Sequence, residues 1–113
     1  MKRDVGLFIE DILESIKAIE EYSKGMNKKE LELSRLKQNA IIREIEIIGE
    51  AVKNIPEHLK NKHKEIEWRK IAGMRDVIIH GYFRIDLGAV WNVIKKDLPI
   101  LKNKILKIKA EER

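Results

Sequence analysis

Between Gly73 and Phe83 the chain sets out Arg75, Asp76, His80 and Tyr82, and these four side chains carry most of the chemistry available to it. There is no cysteine, and the only histidines are His58, His63 and His80. Thiolate nucleophiles, disulfides and Cys-based zinc sites are therefore excluded together. An imidazole, with an ordinary pKa of about 6.5, gives and takes protons near neutrality. An arginine stays charged and offers a planar fork of donors to phosphate oxygens, where negative charge builds in phosphoryl chemistry. Acid–base work beside a phosphate is the reaction type that such a pair suits.

Spacing constrains how these groups meet. On an ideal helix Asp76 and His80 are four residues apart and face the same way, so the carboxylate is expected to hold one imidazole nitrogen and fix the tautomer. Arg69 and Gly73 lie on that stripe too. Arg75 and His80 are five apart, about 140° around the axis and about 7.5 Å along it, and do not converge within a regular helix. Three routes to convergence are open: a helix end at His80-Gly81, the long reach of Arg75, or a two-fold partner presenting its own copy across a shared cleft. We favour the dimer, because one histidine cannot act as base and acid at once.

Blander roles compete at each position. His80 would serve equally as a helix-terminal histidine, Arg75 and Asp76 as a surface ion-pairing set with neighbours such as Arg69 or Lys70, and Tyr82 with Phe83 as a seal over a helix end. His58 and His63 are expected to be solvated loop residues, since no acidic cluster completes a metal site around them. Lys102, Lys104, Lys107 and Lys109 read as the solvated back of a helix, with contact to phosphates as the alternative. Trp68 and Trp91 read as core anchors, and Glu50 as a polar position that can orient a cleft arginine.

The elements that must position these residues are all helical. Val5, Phe8, Ile9, Ile12, Ile16 and Ile19 repeat at helical spacing from Asp4 to a stop at Lys24-Gly25. Asn27 with Glu30 has the form of a capping box. A long helix is expected from Ser34 to Ile55, ended by Pro56. Its stripe of Ile41, Ile45, Ile48, Val52 and Ile55 is widened by Ala40, Ile42, Ile47 and Ala51, which places it at the centre of the fold. Residues 56–65 read as a charged connector with a helical turn. A third main helix is expected from about Glu67 to His80-Gly81. Asp86 caps a last helix through Leu87, Trp91, Ile94, Leu98, Leu101, Ile105 and Ile108, kinked or restarted at Pro99.

At 113 residues, with 43% hydrophobic and 38% charged side chains, the chain suits one amphipathic-helical domain over 1–113 and no second core. The expected fold is all-α, an antiparallel bundle of four to five helices. No apolar run approaches the roughly 20 residues that cross a bilayer, and acidic residues interrupt the apolar start, so a cytoplasmic protein without a membrane segment is expected. The formal charge of +5, from 24 Lys+Arg against 19 Asp+Glu, favours a polyanionic partner without naming one.

Arg75, four residues, His80, one residue, Tyr82 is a pattern that resembles the signature of HepT-like HEPN proteins, and Gly49-Glu50-Ala51 together with Asp86, Trp91, Leu98 and Pro99 extend the likeness over most of the chain. The resemblance implies a HEPN-like homodimer, or a higher oligomer, that acts as a metal-independent endoribonuclease toxin of a toxin–antitoxin pair. It implies no cofactor and no metal. Arg75 and His80 would be the catalytic pair, with Asp76 in the polar position after the arginine. It also implies an MNT-type nucleotidyltransferase antitoxin that attaches AMP to Tyr82. RNA fits a site without metal because its own 2′-hydroxyl attacks the adjacent phosphorus once a base removes the proton. A catalytically silent helical module that binds such a nucleotidyltransferase, and nucleotide or RNA, is the alternative.

Overall fold

A computed structural model describes residues 4–80 and 84–112. The helices begin where side chains replace missing backbone partners. Asp4 accepts from the Gly6 amide at 3.2 Å and opens α1, Val5–Tyr22. Gly25, at φ +70°, turns the chain as only glycine does without strain. Asn27 and Glu30 form the reciprocal capping box of α2, Lys28–Leu33, with bonds of 2.8 and 3.3 Å. Ser34 Oγ accepts from the Lys37 amide at 3.1 Å and starts α3, Arg35–Lys53.

After Pro56 the connector folds into α4, Glu57–Lys62. Two short helices follow, α5 at Trp68–Ala72 and α6 at Met74–Ile78. Two paired strands of two residues each come next, with β1, Ile79–His80, antiparallel to β2, Arg84–Ile85, in the register Ile79↔Ile85 and His80↔Arg84. Asp86 accepts from the Ala89 amide at 2.9 Å and caps α7, Leu87–Asn92. A π-helical turn, Val93–Asp97, joins it to α8, Leu98–Glu111.

The fold is an all-α bundle with α3 at its centre, packed on α1, α5 and α6, while α8 closes over α1. Ile12, Ile16 and Ile19 of α1 meet Ile41, Ile45, Ile48 and Val52 of α3 and Leu101, Ile105 and Ile108 of α8, all of them buried. β-branched side chains are mediocre helix formers, so these helices owe their stability to burial, at about 1.5–3 kcal/mol for each fully buried side chain. Trp68 is buried, with Nε1 donating to the His63 carbonyl at 3.0 Å. Trp91 is half-buried against the core, and the Lys95 ammonium lies 4.9 Å from its ring. No helix among the described residues is long and apolar enough to cross a membrane.

The expected single helix from Glu67 to His80 is corrected. Gly73, at φ −97° and ψ 5°, separates α5 from α6, and Ile79 is extended at φ −105° and ψ 120°. The β-branched run Val77-Ile78-Ile79 favours that extension, and the Asp86 amide fixes it by donating to the Ile78 carbonyl at 2.7 Å. His80 is therefore a strand residue. The expectation for Pro99 holds in a particular form. Proline cannot donate to the helical ladder and crowds the carbonyl four residues back, and the wider π-turn immediately before α8 accommodates the change.

Candidate active site

Arg75 lies on α6 against α3. Its Nε donates to Glu46 Oε2 at 3.1 Å, and Nη1 stands 3.6 Å from Asp76 Oδ1, an ion pair too long for a hydrogen bond. The Arg75 and Glu46 side chains are 48% and 34% exposed, Asp76 83%. The guanidinium is thus anchored through one nitrogen, and its terminal amino groups keep donors for a ligand. α5, which leads into α6, comes close to α3 at position 49, a glycine. A Cβ there would sit 3.2 Å from the Ala72 carbonyl oxygen at the end of α5. The result is a small cavity of about 150 Å³ between α3 and the α5–α6 corner.

On α3 the structure separates two acids, Glu50 and Glu46. Glu50 is exposed and pairs with Lys53 at 3.4 Å, while the arginine partner is Glu46, one turn earlier on the same stripe. The pairing expected between Asp76 and His80 fails with the helix that would have aligned them, and Asp76 meets Arg75 instead. His80 is exposed on β1 opposite Arg84. Tyr82, with Gly81 and Phe83, lies outside the described residues.

Charge around Arg75 is balanced. The cations lining the cavity are Arg43, Lys53 and Arg75, and the carboxylates are Glu46, Glu50 and Asp76.

His63 corrects a second expectation. It is buried, not solvated, at the end of α4, with Nε2 3.4 Å from Glu112 Oε2 and Nδ1 3.5 Å from Glu65 Oε1. Lys62 binds the same Glu112 oxygen at 2.9 Å. The hydrogen bond from Lys62, then that from His63, holds the Glu112 carboxyl below the usual range, and Glu112 in turn raises Lys62. Two of the three carboxylates beside His63, Glu111 and Glu112, come from the end of α8, far along the chain, and only Glu65 is local. His58 is exposed, as expected. Among the described residues no group of three or more His, Cys, Asp or Glu side chains is arranged to hold a metal ion. The C-terminal lysines are largely engaged, Lys102 with Glu20, Lys104 with the Glu65 carbonyl and Lys109 with Glu10.

The family model described as "Ribonuclease HepT-like" matches residues 12–108. A "gamma-glutamylcyclotransferase and putative RNase" of Methanocaldococcus jannaschii is 49% identical over 98% of this chain, which spans 50% of that relative's length. A "probable ribonuclease HepT" of Thermococcus cleftensis is 44% identical, with 96% of this chain and 99% of the relative covered. No solved structure matches the chain.

Proposed function

The chain belongs to the ribonuclease HepT-like family, and from that premise we propose that it is a metal-independent endoribonuclease acting at a cleft between two copies. The observation that carries the reading is the setting of Arg75. It is half-exposed, tethered at Nε by Glu46, and five residues ahead of an exposed His80. In the proposed reaction one His80 imidazole takes the proton of the RNA 2′-hydroxyl. The 2′-oxygen bonds to phosphorus as the bond to the 5′-oxygen breaks, and the second copy's imidazolium gives its proton to the leaving oxygen. The products are a 2′,3′-cyclic phosphate and a 5′-hydroxyl. Arg75 stabilises the charge on the phosphoryl oxygens, and its amino groups meet the non-bridging positions. Glu46 and Asp76 orient the guanidinium.

The second copy supplies what one protomer lacks. The other histidines, His58 and His63, belong to the α4 segment, and His63 is buried among carboxylates. Control falls in this reading to a nucleotidyltransferase antitoxin that adds AMP to Tyr82, two residues beyond His80, placing bulk and negative charge where RNA enters. The rival, a catalytically silent module that binds the nucleotidyltransferase and nucleotide or RNA, is favoured by one observation, that Arg75 already meets both Glu46 and Asp76.

Incubation with RNA in EDTA, with end-group analysis, separates the two. The wild type yields 2′,3′-cyclic phosphate ends, and His80→Ala loses about 10²–10⁴-fold in rate, the range for a general acid–base group. Stability should change by no more than about 0.5 kcal/mol, since the side chain is exposed. Undiminished cleavage by His80→Ala refutes the assignment, and RNA bound by the wild type without cyclic ends selects the silent module.

A further inference from the structure

The charge balance around Arg75 leaves open how an RNA strand is drawn to it, and the next cavity along α5 answers in charge. It measures about 400 Å³ and lies between α4 and α5. Lys60, Lys64 and Arg69 line it against a single carboxylate, Glu57. Ala72 belongs to its wall and also to the wall of the Arg75 cavity, so the two hollows adjoin through one residue.

We propose that this cavity is a phosphate-binding subsite that holds the backbone of single-stranded RNA beside Arg75, with Lys64 and Arg69 as its two principal contacts. Both side chains are exposed, and among the described residues neither has a carboxylate within ion-pairing distance. Lys60 is mostly covered and stands 4.0 Å from Glu57, so it adds field rather than a free contact. The corner carrying the two contacts is rigid. The Trp68 indole donates across it to the His63 carbonyl at 3.0 Å, and Trp68 forms part of the cavity wall. α5 is seated on α3 where Gly49 admits the Ala72 carbonyl. Unpaired cations on a fixed frame bind phosphates with little rearrangement and release counterions as they do so. The C-terminal lysines are poorer candidates, since Lys102 and Lys109 already have carboxylate partners.

The inference rests on the proposed ribonuclease reading only for the direction in which the strand is led. Binding is therefore tested without cleavage. Full-length His80→Ala protein is titrated with a fluorescein-labelled oligouridylate across a range of salt concentrations, by anisotropy. For single strands, log K falls with log[salt] by about 0.7 per phosphate contact. Adding Lys64→Ala with Arg69→Ala should weaken binding and lower that slope by about 1.4. Lys17→Ala with Lys107→Ala removes the same charge from exposed positions on α1 and α8 and should leave the slope unchanged. An equal fall in both pairs, no fall in the first, or no measurable RNA binding by the parent overturns the subsite. A slope contrast in a protein whose wild type never cuts RNA keeps the subsite and removes the ribonuclease reading. Cleavage without the contrast does the reverse.

Discussion

Replacing Glu46 with glutamine tests the anchoring of Arg75 most directly, because it keeps the side-chain shape and one acceptor oxygen while removing the charge. The contact is short, Nε to Oε2 at 3.1 Å, but the partners are about half and a third exposed. Water screens such a pair, so its coupling belongs to the surface range, about 0.5–1 kcal/mol, rather than to the several kcal/mol of a dry interior. If that coupling orients the guanidinium toward the reacting phosphate, Glu46→Gln should lower kcat by roughly 2–5-fold at about 1.4 kcal/mol per decade. The same change frees the arginine charge for ground-state binding, so KM should stay level or fall. A lower kcat with KM level or lower is not what general loosening of the fold would give, since loosening raises KM as it lowers kcat. Steady-state cleavage of a fluorogenic RNA reads both constants, and urea unfolding checks that stability falls by less than about 1 kcal/mol. Glu50→Gln, one turn further along α3 and paired with Lys53, serves as the comparator and should leave kcat alone. A Glu46→Gln enzyme with unaltered kcat refutes the anchoring role. So does one whose loss is equally large when Arg75 is already alanine, since the effect would then not pass through the arginine.

Two further predictions concern the frame. The Glu112 carboxyl is held low by Lys62 and His63, so its contribution to stability is present above the ordinary carboxylate range and disappears as pH falls through the lowered folded value. Lys62 is raised by Glu112, so its share is full below the ordinary lysine range and is lost only as pH climbs through the raised value. The urea midpoints of wild type and Glu112→Gln should therefore differ at neutral pH and converge in acid, and parallel curves would show that the clasp contributes nothing. Gly49→Ala gains about 1 kcal/mol of helix propensity but forces the Ala72 carbonyl to retreat from a 3.2 Å contact, at a cost of about 1–3 kcal/mol. Thermal melts should show a net loss near 1 kcal/mol, with a fall in activity as α5 and α6 shift. A raised Tm would mean that the two helices separate freely.

The parts of this fold that could be read in the sequence are those settled within a few residues. Asp4, Asn27, Ser34 and Asp86 each announce a helix start because the hydroxyl, amide or carboxyl bonds to an amide two or three positions ahead. The core stripes of α1 and α3 were legible for the same reason, since their period is local. The break at Gly73 was not, because the segment around it keeps helical apolar spacing and its outcome depends on how closely α5 can approach Gly49. The burial of His63 was not legible because Glu111 and Glu112, which meet its Nε2, come from the end of α8. At the candidate site the residue types on α6 were plain, but nothing in the spacing separates Glu46 from Glu50, which share a face of α3. Only the axial position of α6 decides which carboxylate the arginine meets.

That position also bears on the five-residue interval between Arg75 and His80. In a continuous helix the two would stand about 7.5 Å apart along the axis. The chain is helical only to Ile78 and then extended, which at about 1.5 and 3.3 Å per residue lengthens the path to about 11 Å. Alternation along the strand turns half-buried Ile79 toward the core and exposed His80 away from it, while Arg75 is drawn back onto α3 by Glu46. Within one protomer the end of the helix therefore spreads the imidazole and the guanidinium instead of gathering them. In the proposed ribonuclease reading, a phosphate bridged by both is more readily served across a two-fold axis, where each α3 would hold its own arginine and the two strands bearing the exposed imidazoles would approach the scissile bond from opposite sides.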